Sequence, residues 1–146
     1  MLTIKVAFCD NDLSSRETMK ILLKRIPFIE IYGEYHNSND LIEKLKKKSP
    51  HIVFYNLQTN KLNDIEGIKK ILVRNPSIKV IVTSTFEDFR TIAVVFSVGA
   101  FGFLAKKELS VINILKAIQY STINNYYLST SCELKINDIN KIIQLN

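Results

Sequence analysis

The sequence predicts a doubly wound α/β domain built on a parallel sheet. Three observations carry that prediction. Apolar patterning alternates five times between short strand-like runs and segments with helical periodicity. The runs at 4–9, 52–55 and 78–83 are almost continuously apolar, as parallel strands covered on both faces by crossover helices must be. No Gly/Ser-rich linker divides the 146 residues, a length that fits one ordinary domain.

Residues 4–9 (IKVAFC) read as the first strand. A helix over 14–26 follows, with Met19, Leu22, Leu23 and Ile26 on one face. Ser14 is placed to cap it, Glu17 completes a capping box, and Pro27 ends it. Residues 29–35 (IEIYGEY) form the second strand. The next helix, over 39–48, is opened by Asn37 or Ser38 and punctuated by Pro50. The third strand covers 52–55, and 57–63 reads as a polar loop. Helix three then runs to about Arg74, with Asp64 as its candidate N-cap. The fourth strand is 78–83, and a helix over 87–97 stops before Gly99. A short fifth strand at 101–105 leads into the last clear helix, 108–121. The domain is therefore expected to span 1–121. Residues 122–146 read as a tail or linker, with a weak apolar periodicity at Ile136, Ile139, Ile142 and Ile143 that suits a short helix.

Hydrophobic residues make up 47% and charged residues 23%, the balance of a soluble globular chain. No apolar run approaches the ~20 residues that span a bilayer. The opening MLTIKVAFCD lacks the order of a signal peptide. These features predict a cytoplasmic protein with no membrane partner. The formal charge of +6 is spread over several helices, and the one run, Lys46-Lys47-Lys48, sits at a helix end. Cations there complement the helix dipole, so a solvated terminus is favoured over a nucleic-acid patch. Cys9 is expected as a small core filler and Cys132 as a free thiol in the polar tail. Neither cysteine, nor His36 or His51, has metal-ligand spacing.

Ligands of such sheets bind outside the carboxyl ends of the strands. The residues there are Asp10, Asn11 and Asp12, then Asn56, then Ser84 and Thr85, then Lys106. Converged, they make a constellation of the phosphoryl-transfer type. Carboxylates would hold Mg²⁺, and a hydroxyl and an ammonium would hold phosphoryl oxygens. A flavin or nucleotide module would use the same edge through a Gly-rich loop. The loop here, CDNDLSS, is acidic and has no glycine, which disfavours that alternative.

The stretches "KVAFCDNDLSSR", "IEIYGEYHNSNDLIEKLKKKSPHIVFYNLQ", "IKVIVTSTFEDF" and "VGAFGFLAKKEL" carry a family resemblance. From about residue 3 to 121 the chain resembles the receiver domain of bacterial two-component response regulators. With "YYLSTS" after the last helix, it is most similar to receivers of regulators carrying a LuxR-type helix-turn-helix. The resemblance implies a flavodoxin-like (βα)5 fold with strand order 2-1-3-4-5. It places Asp10 at the first of the paired acidic residues. Asn11 falls where the second, a direct Mg²⁺ ligand, is expected, with Asp12 beside it as a partial substitute. Asn56 falls where the phosphoacceptor aspartate belongs. Ser84 matches the switch hydroxyl, Phe103 the switch aromatic and Lys106 the family's lysine. Lys107 replaces the proline that often follows, and Gly67 matches the loop glycine before helix three about three residues late.

These departures have chemical consequences. The amide of Asn56 is neutral and cannot form an acyl phosphate. With one certain carboxylate, at Asp10, Mg²⁺ binding is expected to be weak or absent, because affinity follows ligand charge. No catalytic residue, enzyme activity or cofactor is expected. Lys106 is then expected to pair with Asp10 or to donate to the Asn56 carbonyl oxygen. The implied function is that of a pseudo-receiver, independent of phosphorylation, acting by protein–protein association in signalling or transcription control. The partner would be another protein or a second copy, met through helix 4, strand 5 and helix 5, or through helices 1 and 5. The alternative is a truncated receiver of a transcription regulator that reaches DNA only through a domain outside these residues.

Overall fold

A computed structural model describes residues 3–59 and 61–133. The strands are β1 (Ile4–Cys9), β2 (Ile29–Tyr35), β3 (Ile52–Leu57), β4 (Lys79–Ser84), β5 (Gly102–Ala105) and β6 (Tyr127–Leu128). The helices are α1 (Leu13–Lys24), α2 (Ser38–Leu45), α3 (Leu62–Arg74), α4 (Phe89–Ser97) and α5 (Val111–Thr122), with a 3₁₀ turn at Lys106–Glu108. One parallel sheet runs β2-β1-β3-β4-β5-β6. The expected order 2-1-3-4-5 stands, with one strand added at the edge.

Successive strand residues point to opposite faces, and two cores result. Val6, Phe8, Phe54, Ile81 and Leu104 meet Met19, Leu23 and Ile26 of α1 and Ile114, Ala117 and Ile118 of α5. On the other face Val53, Tyr55, Val80, Val82 and Phe103 pack with Leu41 of α2, Ile68 and Ile71 of α3, and Ile92 and Val95 of α4. All six residues of β3 are buried. Each such aliphatic or aromatic side chain contributes ~1.5–3 kcal/mol when fully buried, so the two-sided core dominates stability. The chain leaves β1 toward β2 and returns to β3 on the other side. That reversal of winding opens a crevice between the carboxyl ends of β1 and β3.

Several boundaries differ from the sequence reading, each for a local reason. α1 begins at Leu13, because Asp12 rather than Ser14 is the N-cap: its carboxylate accepts from Ser15 N at 2.8 Å. α3 begins at Leu62, inside the expected loop, with Lys61 at the N-cap position. Asp64 therefore lies in the first turn, and its Oδ2 accepts from Thr59 N at 2.7 Å. Gly67 lies within α3, not in the loop before it. A Cβ at Gly67 would collide with the Tyr55 hydroxyl, which donates to Asp64 O at 2.6 Å. α2 ends at Leu45, with Asn37 as its cap. Asp88 caps α4 and Ser110 caps α5. α4 stops where expected: Gly99 has φ 111°, a conformation that costs glycine little.

The first part of the expected tail belongs to the sheet. Tyr127 N donates to Phe101 O at 2.9 Å and Ser129 N to Phe103 O at 3.0 Å. The Ser129 hydroxyl accepts from Ala105 N at 2.6 Å and reaches Phe103 O at 3.1 Å. Tyr127, Ser129 and Cys132 are buried, so Cys132 is a core residue and not an exposed thiol. The sequence hid this strand because two residues are too short to show a period. The isoleucines from Ile136 onward lie outside the described residues. Among the described residues no helix is long and apolar enough to cross a membrane.

Ser129→Ala should lower stability by ~1–3 kcal/mol, the cost of leaving a buried N–H unpaired. Urea unfolding will show it as a lower midpoint with unchanged slope. Both cysteines should resist a thiol reagent in the native protein and react together in urea; rapid native labelling of Cys132 would contradict the docked C-terminal strand.

Candidate functional site

Asp10 follows β1 at the floor of the crevice and is 6% exposed. Its Oδ1 accepts three N–H groups: Asp12 N at 2.9 Å, Asn56 Nδ2 at 3.1 Å and Gln58 Nε2 at 2.9 Å. Its backbone carbonyl accepts from Arg16 Nη1 at 3.0 Å. Arg16 is buried on α1, and the same nitrogen lies 3.4 Å from His36 Nδ1.

Asn56 lies within β3, opposite Thr83 of β4. Thr83 Oγ1 donates to Asn56 Oδ1 at 3.4 Å. A carboxylate can only accept, so the amide nitrogen faces Asp10 and the amide oxygen faces the threonine. Ser84 is the last residue of β4 and fully buried; its Oγ accepts from Phe86 N at 2.9 Å and lies 3.4 Å from Leu57 O. Its hydroxyl thus ties the start of the β4–α4 loop to β3. Phe103 is fully buried on β5, flanked in register by Val82 and Leu128.

Lys106 does not meet the expectation set for it. Its Nζ donates to Ser15 Oγ at 2.9 Å, in the first turn of α1, rather than to Asp10 or Asn56. The Asp10 Oδ1 instead takes its three bonds from N–H groups of Asp12, Asn56 and Gln58. Asn11 is exposed at the rim of the cleft. Asp12 does not line the cleft, and its carboxylate is engaged as the α1 cap. Lys107 pairs with Glu87 at 3.4 Å, and Ser131 Oγ links Glu87 and Glu108 at 3.1 and 2.9 Å.

The cleft encloses about 320 Å³. Asp10 and Asn56 line it, with Asn37 from the β2–α2 side and Gln58, Thr59 and Asp64 from the β3–α3 side. Gln58, Arg16 and Thr83 were missed by the sequence reading. Gln58 could have been found, since strand alternation returns residue 58 to the side of residue 56. Arg16 had a weaker signal, a charged residue within an amphipathic helix.

The residues present do not fit the Mg²⁺ that the family implies. Among the described residues no three His, Cys, Asp or Glu side chains gather as a metal site. Hard divalent cations require several oxygen ligands with carboxylate charge. Here Asp10 Oδ1 faces three positive N–H dipole ends, and Asp64 is engaged with Thr59 N.

The acidic surroundings also act on Cys9. Burial first, then the charges of Asp10, Asp40 and Asp64, push its thiol from 9.0 up to about 12. Burial and Asp64 likewise raise the Tyr55 phenol.

The family model described as the response regulator receiver domain matches residues 6–119. The chain belongs to that family. The transcriptional regulatory protein LnrK of Bacillus subtilis is 32% identical over 115 residues, which cover 79% of this receiver chain and 52% of LnrK. The sensory transduction protein LytT of Bacillus cereus is 30% identical over 138 residues, 93% of this chain and 54% of LytT. The chain thus spans about half the length of these two relatives. Among solved structures, the RcsB response regulator of Salmonella typhimurium superposes with TM-score 0.85 at 22% identity, over 96% of this chain and 68% of that one. The isolated REC domain of RcsB gives TM-score 0.80 at 20% identity, over 91% and 98%. These likenesses show the receiver fold, flavodoxin-like as expected.

The raised thiol of Cys9 sets an alkaline limit on stability. Below pH 9 the thiol is protonated in both states and its contribution is complete. Between 9 and about 12 the unfolded chain loses this proton while the native receiver keeps it, so stability falls as pH rises. Tyr127, pushed from 10.0 to about 12 mainly by burial, acts in the same direction. Urea titrations from pH 8 to 11 should show the decline, and Cys9→Ala should make it shallower.

Proposed function

We propose that this receiver works without phosphorylation and acts by associating with protein partners in signalling or transcription control. The observation that carries the reading is the orientation of Asn56. At the position of the family's phosphoacceptor stands an amide that donates into the pocket, 3.1 Å from Asp10. An amide nitrogen has its lone pair delocalised into the carbonyl and offers no nucleophile to phosphorus. The pocket's interactions are complete as built, so one conformation is held without a covalent signal.

We also propose that the domain serves a larger regulator with a DNA-binding output domain, in the cytoplasm. Its relative LnrK is a transcriptional regulatory protein, and RcsB is seen as dimers bound to DNA. The pairing of β6 against β5 supports association through helices α1 and α5 rather than through the β5 edge. Leu13 and Ile112, at the starts of those helices, are 62% and 65% exposed.

Incubation with Mg²⁺ and acetyl phosphate should leave the mass of the protein unchanged. The Asn11→Asp, Asn56→Asp double variant should gain one phosphoryl group. A stoichiometric, base-labile adduct on the unaltered chain would refute the proposal. Association is tested by sedimentation: Ile112→Asp should weaken self-association, and a variant in the α4 face, such as Phe89→Asp, should not.

A further inference from the structure

We propose that Gln58 is the residue that shuts this cleft to divalent cations. The inference rests on reading the cleft as a degenerate receiver pocket. Two of the three donors on Asp10 Oδ1 are fixed by the fold. The Asp12 N–H is backbone at the capped start of α1. The Asn56 amide is buried inside β3 and held from behind by Thr83. Gln58 differs from both. It is the first residue beyond β3, is only partly buried, and reaches Asp10 through a long, rotatable side chain at 2.9 Å.

A cation approaching Asp10 Oδ1 would have to displace a donor, and Gln58 is the one that can move. Its N–H is charge-assisted by the carboxylate, which makes the bond short and strong. In place of a metal, it brings a partial positive charge to the carboxylate, with no room for further oxygen ligands on that atom. Lys106 supplies no such charge, since its ammonium bonds Ser15. The inertness of the cleft is therefore set twice: Asn56 removes the nucleophile, and Gln58 holds Oδ1 of the remaining carboxylate. Restoring carboxylates at 11 and 56 would leave Gln58 still competing for Asp10.

The test compares Asn11→Asp, Asn56→Asp with the triple variant that adds Gln58→Ala. Free Mn²⁺ is counted by electron paramagnetic resonance, with Mg²⁺ as competitor. Removing a hydrogen bond to a charged group should tighten Mn²⁺ binding about tenfold. Gln58→Asn, whose shorter amide falls short of Asp10, should tighten binding in the same direction and serves if the alanine variant folds poorly. Equal affinity in the double and both triple variants would overturn the role of Gln58 while leaving the pocket reading intact. Absence of Mn²⁺ binding in all three would instead remove the pocket reading, and this inference with it.

Discussion

The structure turns on how one buried carboxylate is satisfied. Asp10 lies buried at the carboxyl end of β1, where an unpaired anion would be prohibitive. Three N–H groups converge on a single oxygen, from the start of α1, from within β3 and from just beyond β3. A hydrogen bond to a charged group contributes ~1.5–3 kcal/mol, so the cluster is a large fraction of a typical domain's net stability. It also joins three segments distant in sequence at the topological switch point. The buried carboxylate of Asp10 is thus a structural node.

The neighbouring residues follow from that node. Asp12 presents its N–H to Asp10 and its carboxylate to Ser15 N, so one residue both closes the turn and starts the helix. Arg16, a turn further on, binds the Asp10 carbonyl and thereby holds α1 against β1. Thr83 orients the Asn56 amide through its oxygen, leaving only the nitrogen for the carboxylate. Lys106 is left to bind Ser15 and so ties the end of β5 to α1. The carboxyl ends of β1, β3 and β5 are thereby linked to one another and to α1 through neutral or singly charged groups.

The fold was legible in the sequence because buried parallel strands and amphipathic helices have strong periods. Residues 4–9 and 78–83 are almost continuously apolar, and Met19, Leu23 and Ile26 recur at helical spacing. Caps were less legible. Asp12 and Ser14 both suit an N-cap, and only the three-dimensional demand of Asp10 for the Asp12 N–H decides between them. The start of α3 was hidden because Lys61 caps it without a side-chain bond. At the site, Asp10 and Asn56 could be read from strand ends. The reach of Lys106 could not, since it depends on where the fold brings Ser15 of α1. Gln58 was legible only through strand alternation from Asn56, since a glutamine beyond a strand carries no chemical pattern of its own.

The sheet edge bears on how such a domain can signal. An open edge strand presents unpaired N–H and C=O groups and invites pairing with another chain. Here β6 and the Ser129 hydroxyl satisfy the outward groups of Phe103 and Ala105. Cys132 then fills the core beside Phe103. Ser131 bonds Glu87 before α4 and Glu108 before α5, so the segment also ties together the two loops that flank the edge. Opening that edge would expose several buried side chains and break backbone bonds in one step. A partner that binds this side of the domain without such rearrangement must use helical faces, where apolar residues are already in water. The Asp10 cluster at one end of the sheet and the β6-covered β5 edge at its side thus have the same effect: each joins segments distant in sequence into one packed unit.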